Sequence, residues 1–197
     1  MKTIFFDLGN VILFFDHGKM VQQVSEYCQT DATLIQNAVH EFGDAYERGH
    51  LDTAAIHQKL TTLSQKEIEL APLMDAVGDI FVPNMDVVDI AMELKKKGHR
   101  LYLLSNTCDA HFQFAWKKYP FLHAFDGHIL SYEVNARKPE IKIYEKALEI
   151  ARCQKEECFY TDDIPEFIAA AQSFGIDAEL YTTPEALTKH LVSRGLI

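Results

Sequence analysis

Several short polar clusters, each beside an apolar run, contain the side chains that phosphoryl transfer requires. They are Asp7, the pair Ser105 and Asn106, Lys138, and the pair Asp162 and Asp163. A carboxylate such as Asp7 can attack phosphorus and form an acyl-phosphate. Hydroxyl, amide and ammonium groups can bind the oxygens of the transferring group and stabilise the charge that develops on them.

The acidic residues also point to a metal ion. Two acidic loops that lie close together repel each other unless a cation lies between them. Hard oxygen ligands and water suit Mg²⁺, which bridges carboxylates and phosphate oxygens. We therefore expect Mg²⁺ as the cofactor and a small phosphorylated metabolite as the partner.

Each cluster also has an ordinary structural interpretation. Asp7 could end a strand and cap a turn, because Asp is common in turns. The Ser-Asn pair could be a plain turn, the lysine a surface residue, and the Asp-Asp pair a helix cap. The chemical interpretation is favoured because all of them are predicted at one edge of one sheet.

Apolar runs predict the strands that bring these clusters together. The runs occupy residues 2–8, 100–104, 125–131, 158–161 and 178–181, and helical patterns separate the last four. This alternation indicates a parallel sheet with helices on both faces, a Rossmann-like α/β fold. Right-handed crossovers put the carboxyl ends of all five strands at one edge. After Asp7, Gly9 and Asn10 favour a turn, since both tolerate positive φ.

Residues 16–82 differ in character from the rest of the chain. Their pattern is mostly helical, with few runs that resemble strands. We expect a small helical cap inserted after the first strand, between the core segments 1–15 and 83–197. The alternative is that these helices extend the core. Pro83 is predicted to begin the next helix, and S-Q-K-E at 64–67 has the pattern of a capping box.

Composition limits the possible classes of protein. The chain has 197 residues, 48% of them hydrophobic, and a formal net charge of -10. The length suits one core domain plus a modest insertion. The negative charge argues against nucleic-acid binding, and no apolar run reaches the roughly 18 residues of a membrane span. Four cysteines without a C-x-x-C pair, and no signal-like segment before the first strand, predict a reduced, cytoplasmic setting.

The clusters, taken in order, resemble the motifs of the haloacid dehalogenase-like hydrolase superfamily. The matching stretches are F-F-D-L-G-N-V, L-L-S-N-T, R-K-P-E-I-K-I-Y and F-Y-T-D-D-I-P-E, and Y-E-R-G-H-L-D at 46–52 resembles a segment of the helical cap. The first motif looks closest to the subgroup of bacterial α-glucose-1-phosphatases and the phosphatase domain of soluble epoxide hydrolases.

The resemblance implies a function and a role for each matching residue. Asp7 would be the catalytic nucleophile, Ser105 would bind the phosphoryl group with Asn106 beside it, and Lys138 would also hold the transferring group. The implied reaction is Mg²⁺-dependent hydrolysis of a small phosphomonoester, such as a sugar phosphate, through an aspartyl-phosphate.

The resemblance also implies the metal ligands, and one of them marks a departure from the family. Asp7, the Gly9 carbonyl and Asp163 would hold Mg²⁺, and Asp162 would support these ligands without binding the metal directly. The family usually has a second Asp where this chain has Gly9, and that Asp protonates the leaving group. General acid catalysis is typically worth about 10²–10⁴-fold, so its loss predicts slow turnover or dependence on a good leaving group. Phe167 stands where Asn is common, and only a packing consequence is expected.

Four residues are expected to contact the substrate from the side of the cap. Phe15 and Asp16 lie where the core would pass into the cap, although a hinge or core role would also fit them. Tyr46 and Glu47 belong to the cap motif and could contact a sugar.

Two other functions fit the same residues. A metal-independent 2-haloacid dehalogenase would also use Asp7 without a second acid, attacking carbon instead of phosphorus, but the Asp-Asp pair favours a metal. A non-catalytic protein that binds a phosphorylated ligand would fit the loss of an acid at Gly9. The sequence gives no indication of the oligomeric state.

Overall fold

The computed structural model describes residues 1–64 and 66–197. Seven strands follow one another in the described residues: β1 (Thr3–Phe6), β2 (Leu13–Phe15), β3 (Phe81–Pro83), β4 (Arg100–Ser105), β5 (Gly127–Leu130), β6 (Cys158–Asp162) and β7 (Ala178–Leu180). Five of them form one parallel sheet in the order β5-β4-β1-β6-β7. The predicted Rossmann-like α/β fold is confirmed, and all five predicted strands are present with small shifts at their ends.

Helices cover both faces of this sheet. In chain order the described helices are α1 (His17–Cys28), α2 (Ala32–Glu47), α3 (Thr53–Leu63), α4 (Leu70–Gly78), α5 (Met85–Lys96), α6 (Asp109–Lys118), α7 (Ser131–Val134), α8 (Ile141–Ala151), α9 (Pro165–Phe174) and α10 (Pro184–Ser193). Side chains alternate along a strand, so Ile4 and Phe6 of β1 pack on the face with α5, α6 and α10. Phe5 packs on the opposite face with α8 and α9.

The strands β2 and β3 are two elements that the sequence patterns did not predict. They pair antiparallel with each other, outside the main sheet, and Phe14 lies opposite Val82. A strand of three residues is too short to show a periodic pattern. The prediction that Pro83 begins a helix is wrong, because Pro83 ends β3 and helix α5 begins at Met85.

The four helices α1–α4 lie in the chain between β2 and β3. Asp16, Asp31 and Asp52 cap the first three of them, each accepting a hydrogen bond from a backbone N–H of the first turn. The capping box predicted at 64–67 includes Gln65, which lies outside the described residues. Helix α4 begins only at Leu70, after Glu69, so Ser64 is not its N-cap. The division of the chain into core and cap stays a prediction.

The register of the sheet places Asp7 beside Asp162 and puts Ser105 one residue beyond that level on the other side. Phe6 at the end of β1 lies opposite Leu103 of β4 and Thr161 of β6. One residue further along each strand, Asp7 therefore lies between Leu104 and Asp162 at the carboxyl edge of the sheet. Asp7 follows β1 directly and donates its N–H to the Thr161 carbonyl at 3.0 Å, which extends the ladder by one residue.

Two further features concern the whole described chain. None of its helices combines the length and the apolar character that a membrane crossing needs. All four cysteines are buried and free.

Candidate active site

Asp7 is buried at the carboxyl end of the central strand, and it lines a cleft of about 120 Å³. The cleft is also lined by Gly9, Ser105, Asn106, Lys138 and Asp163, so the structure brings together most of the residues predicted for the site. Asp7 is one of a few buried polar residues, and most of the buried side chains are apolar. Its carboxylate therefore needs charged or hydrogen-bonding partners.

Lys138 is the main partner of Asp7. Its buried Nζ donates to Asp7 Oδ1 at 2.7 Å, to Asp162 Oδ2 at 2.5 Å and to the Leu104 carbonyl at 3.0 Å. An ammonium has three N–H donors, so each has a partner in this arrangement. The ring of Phe167 lies 5.1 Å from the same nitrogen, which gives Phe167 a contact with the site as well as its packing role.

Asp162 holds Lys138 and is turned away from the cleft. It is fully buried, and its Oδ2 accepts hydrogen bonds from both Lys138 and the Tyr160 hydroxyl. Its Oδ1 accepts from the Ile164 N–H at 2.9 Å. Both oxygens are therefore occupied by protein groups, and Asp162 is absent from the residues that line the cleft.

Asp163 lines the cleft and is held by Asn10. Asn10 adopts the predicted positive φ, 56°, and its Nδ2 donates to Asp163 Oδ2 at 3.2 Å. Side-chain oxygens of Asp7, Asp162 and Asp163 all lie within 4.8 Å of one another. When ionised, the three carboxylates outnumber the single ammonium of Lys138, so negative charge remains uncompensated. The oxygen donors and the charge both fit Mg²⁺, which prefers carboxylates and water.

The electrostatics of the cluster agree with this excess of negative charge. Burial raises the pKa of Asp7; Lys138 opposes this effect, and Asp162 adds to it. Burial also raises the pKa of Asp163, against the hydrogen bond from Asn10. Burial alone would lower the pKa of Lys138, but the charges of Asp7 and Asp162 outweigh it and raise that pKa. A cation in the cleft would favour the ionised carboxylates.

Ser105 and Asn106 line the cleft at the carboxyl end of a different strand, β4. Ser105 ends β4 and is buried. The side chain of Asn106 binds both backbone groups of Lys138: Nδ2 donates to the carbonyl at 3.0 Å, and Oδ1 accepts from the N–H at 2.8 Å. Asn106 therefore fixes the loop that carries Lys138. Thr107, which the sequence analysis missed, also lines the cleft, and Ser131 Oγ bonds its N–H and its carbonyl.

The four residues expected to contact the substrate from the cap have different positions. Phe15 and Glu47 line the cleft. Asp16 does not, because it caps α1 through the Lys19 N–H. Tyr46 is buried, and its hydroxyl lies 2.8 Å from Thr53 Oγ1 and accepts from the Ala110 N–H at 3.1 Å.

Glu47 links helix α2 to the loop that carries Lys138. It lies 2.9 Å from the guanidinium of Arg137, the residue before Lys138. Arg137 also pairs with Asp44, and Arg48 pairs with Glu140 at 2.6 Å. Burial raises the pKa of Glu47, and the charge of Arg137 opposes that shift.

Two histidines that no sequence pattern had indicated also line the cleft. His17 opens α1 and His111 lies in the first turn of α6, and their rings stack with centroids 5.9 Å apart. Burial lowers the pKa of His111 to about 4, so its imidazole is neutral at pH 7. Its Nε2 is buried and has no hydrogen-bond partner in the described part of the chain. The nine histidines are scattered along the chain, and their spacing carried no signal.

Comparison with protein families gives a match over most of the chain. The family model of the haloacid dehalogenase-like hydrolases matches residues 1–175. The chain belongs to this family. The matched region of this haloacid dehalogenase-like hydrolase includes Asp7, Ser105, Lys138 and Asp163. The resemblance seen in the sequence motifs is therefore confirmed at the level of the superfamily.

Named relatives of this haloacid dehalogenase-like hydrolase are phosphatases. It is 26% identical over 188 residues to a D-ribitol-5-phosphate phosphatase of Bacteroides thetaiotaomicron, covering 90% of each chain. It is 27% identical over 176 residues to a sesquiterpene phosphatase of Aspergillus oryzae, covering 89% of this chain and 87% of that one.

A solved structure shares its fold. A haloacid dehalogenase family enzyme from Bacteroides thetaiotaomicron, in complex with magnesium and inorganic phosphate, has a TM-score of 0.80 and 24% identity, and the match covers 92% of this chain and 94% of the other.

Proposed function

We propose that this hydrolase is a Mg²⁺-dependent phosphatase that cleaves a small phosphomonoester through an aspartyl-phosphate. One observation carries the proposal: the Asp7 carboxylate lines a cleft, is held by Lys138, and lies within 4.8 Å of oxygens from two further carboxylates. A nucleophile, a fixed positive charge and a set of oxygen ligands therefore share one small volume. The relatives described above are phosphatases, which supports the reaction type.

In the proposed reaction a carboxylate oxygen of Asp7 attacks phosphorus. The bond between phosphorus and the ester oxygen breaks, and the alcohol takes a proton from solvent. Water then attacks the aspartyl-phosphate, releasing inorganic phosphate and restoring the carboxylate. Lys138 neutralises charge beside Asp7, Ser105 donates its hydroxyl to the transferring group, and Asn106 acts mainly by fixing Lys138.

The proposed Mg²⁺ ligands are Asp7, the Gly9 carbonyl and Asp163. All three residues line the cleft, whereas Asp162 uses both of its oxygens within the protein and supports the site through Lys138. When bound, Mg²⁺ would neutralise the charge on the phosphoryl oxygens.

We also propose the predicted division of the chain, with residues 16–82 as a cap on the core formed by 1–15 and 83–197. The two antiparallel strands β2 and β3 connect these segments. Ion pairs between the end of α2 and the loop at Arg137 would keep the cap against the core and exclude bulk water from the cleft. A reduced, cytoplasmic setting belongs to the same proposal, and the four free, buried cysteines support it.

The alcohol part of the substrate has two candidate classes. The name of the D-ribitol-5-phosphate phosphatase supports the expected sugar phosphate. The name of the sesquiterpene phosphatase supports an alcohol with a hydrocarbon group.

The test is phosphate release from a panel that includes glucose 1-phosphate, ribitol 5-phosphate, alkyl phosphates and an aryl phosphate. Each ester is assayed with Mg²⁺, with chelator, and with the Asp7→Asn variant, whose fold is checked by circular dichroism. Release that requires both Mg²⁺ and Asp7 supports the proposal. Halide release from 2-haloacids without Mg²⁺ would replace it with the dehalogenase. Binding of phosphate without turnover of any ester would replace it with a non-catalytic binding protein.

A further inference from the structure

A second cavity lies beside the cleft, and its walls are almost entirely apolar. Helices α1–α4 provide most of the lining, with Met20, Val24, Phe42, Ile56 and Leu60 among the side chains. Its volume is about 100 Å³. We call it the apolar chamber. A space of this size is uncommon inside a domain, because protein interiors are packed as densely as organic crystals.

The apolar chamber and the cleft share part of their walls. His17, Glu47 and His111 line both cavities. The two cavities are therefore adjacent, with these three residues at their common boundary, and a substrate whose phosphate lies at Asp7 would reach the chamber past them.

A glycine inside helix α2 forms part of the chamber wall. Gly43 lies within Ala32–Glu47, away from either end, where Gly is disfavoured relative to Ala. A Cβ built on Gly43 meets no described atom within 4 Å. Neither a close contact nor a positive φ therefore requires glycine at this position. Its lack of a side chain leaves open space beside the helix.

We propose that the apolar chamber binds a compact hydrocarbon group on the alcohol of the phosphomonoester, and that Gly43 keeps the chamber open for it. This inference rests on the proposed phosphatase function and narrows its substrate to alkyl or prenyl phosphates. A sugar ring placed there would lose hydrogen bonds to water, and unpaired polar groups are costly. The Tyr46 hydroxyl in the chamber wall already has Thr53 and Ala110 as partners, and His111, whose Nε2 has no partner among the described residues, lies at the boundary with the cleft.

The size of the chamber limits the group that it can hold. An apolar cavity of about 150 Å³ stays dry and binds benzene, so one about two-thirds of that size suits a smaller group, such as the branched end of a five-carbon alkyl chain. Each methylene moved from water into such a site is worth roughly 0.8 kcal/mol, or about fourfold in binding. A single methylene in an enzyme pocket can change kcat/KM by about 10–200-fold.

The first test compares kcat/KM for 3-methylbutyl phosphate, ethyl phosphate and glycerol 1-phosphate with Mg²⁺. We expect the wild type to prefer 3-methylbutyl phosphate over each of the other two by at least about tenfold. The Gly43→Leu variant, which fills the chamber, should lose most of this preference, and Gly43→Ala should lose less. Asn37→Leu is the matched control, because Asn37 is exposed on the same helix and does not line the chamber, and its preference should equal that of the wild type.

The second test measures binding without turnover, so that failure of the chamber and failure of the phosphatase proposal can be distinguished. Calorimetry with Mg²⁺ compares 3-methylbutylphosphonate with ethylphosphonate on wild type, Gly43→Ala and Asn37→Leu. Tighter binding of the larger phosphonate, reduced in Gly43→Ala, supports the chamber even if no ester is hydrolysed. Equal binding of both phosphonates, or equal kcat/KM for both alkyl esters, would overturn the inference while leaving the phosphatase proposal intact.

Discussion

The ring of Phe15 lies so close to Gly9 that a side chain at position 9 fits only if the ring moves. A Cβ built on Gly9 would lie 2.8 Å from Phe15 Cε1 and 3.8 Å from Asp7 Oδ2. The family's second Asp would begin at this point and extend toward the cleft. In this structure the ring therefore lies where the missing side chain would begin.

This relationship predicts that an acid cannot be restored at Gly9 by one substitution. Gly9→Asp alone should not raise the rate on an alkyl phosphate, because the new side chain must displace the Phe15 ring. The double variant Gly9→Asp, Phe15→Ala should raise it by at least about tenfold, part of the 10²–10⁴-fold typical of general acid catalysis. Phe15→Ala alone is the control. A rate increase in the single Gly9→Asp variant, measured by phosphate release, would show that the ring is no obstacle.

Lys138 is predicted to be essential for stability because two buried carboxylates depend on it. Lys138→Met leaves Asp7 and Asp162 without their counterion, and removing one partner of a buried ion pair costs about 3–5 kcal/mol. Urea unfolding in chelator measures the free energy of unfolding. Lys142→Met, at an exposed position in α8, should change it by less than about 0.5 kcal/mol. Equal losses in the two variants would contradict the predicted role.

Mg²⁺ is predicted to stabilise the folded protein through Asp163. A ligand present at about 100 times its Kd stabilises the folded state by about 2.7 kcal/mol, which corresponds to several degrees in Tm for a chain of this length. Asp163→Asn should remove most of that shift. The control Asp89→Asn changes an exposed acid in α5 and should keep it. Calorimetric melting with Mg²⁺ and with chelator tests this, and an unchanged shift in Asp163→Asn would exclude Asp163 as a ligand.

His111 is predicted to make the stability of the protein depend on pH. Its folded pKa of about 4 is below the ordinary value of 6.5, so the unfolded chain binds the proton first as the pH falls. Stability is therefore lost between about pH 6.5 and pH 4, and from pH 7 to pH 5 the loss due to this group is about 2 kcal/mol.

The measurement is urea unfolding at pH 7 and pH 5. His111→Gln should lose less stability between these values than the wild type does, by about that 2 kcal/mol. His40→Gln, at an exposed position in α2, is the matched control and should behave as the wild type. If His111→Gln and the wild type lose the same stability, His111 does not titrate as its burial requires.

The sequence by itself determined the sheet and the edge at which the site lies. Apolar runs long enough to be buried predicted β1, β4, β5, β6 and β7, and right-handed crossovers put their carboxyl ends together. Asp7, Ser105 and Asp162 could therefore be placed at one edge before any coordinates, because this depends only on the direction of the strands and on which residues end or follow each one.

The tertiary structure alone decided what each polar group contacts. Asn106 binds the backbone of Lys138, Asp162 is turned away from the cleft, and Asp16 caps a helix outside it. Such contacts depend on side-chain directions and on distances between residues far apart in sequence, which periodicity does not encode. The same reason applies to the ring of Phe15 against Gly9, the neutral His111 and the apolar chamber beside Gly43, each of which exists only where separate helices and strands meet.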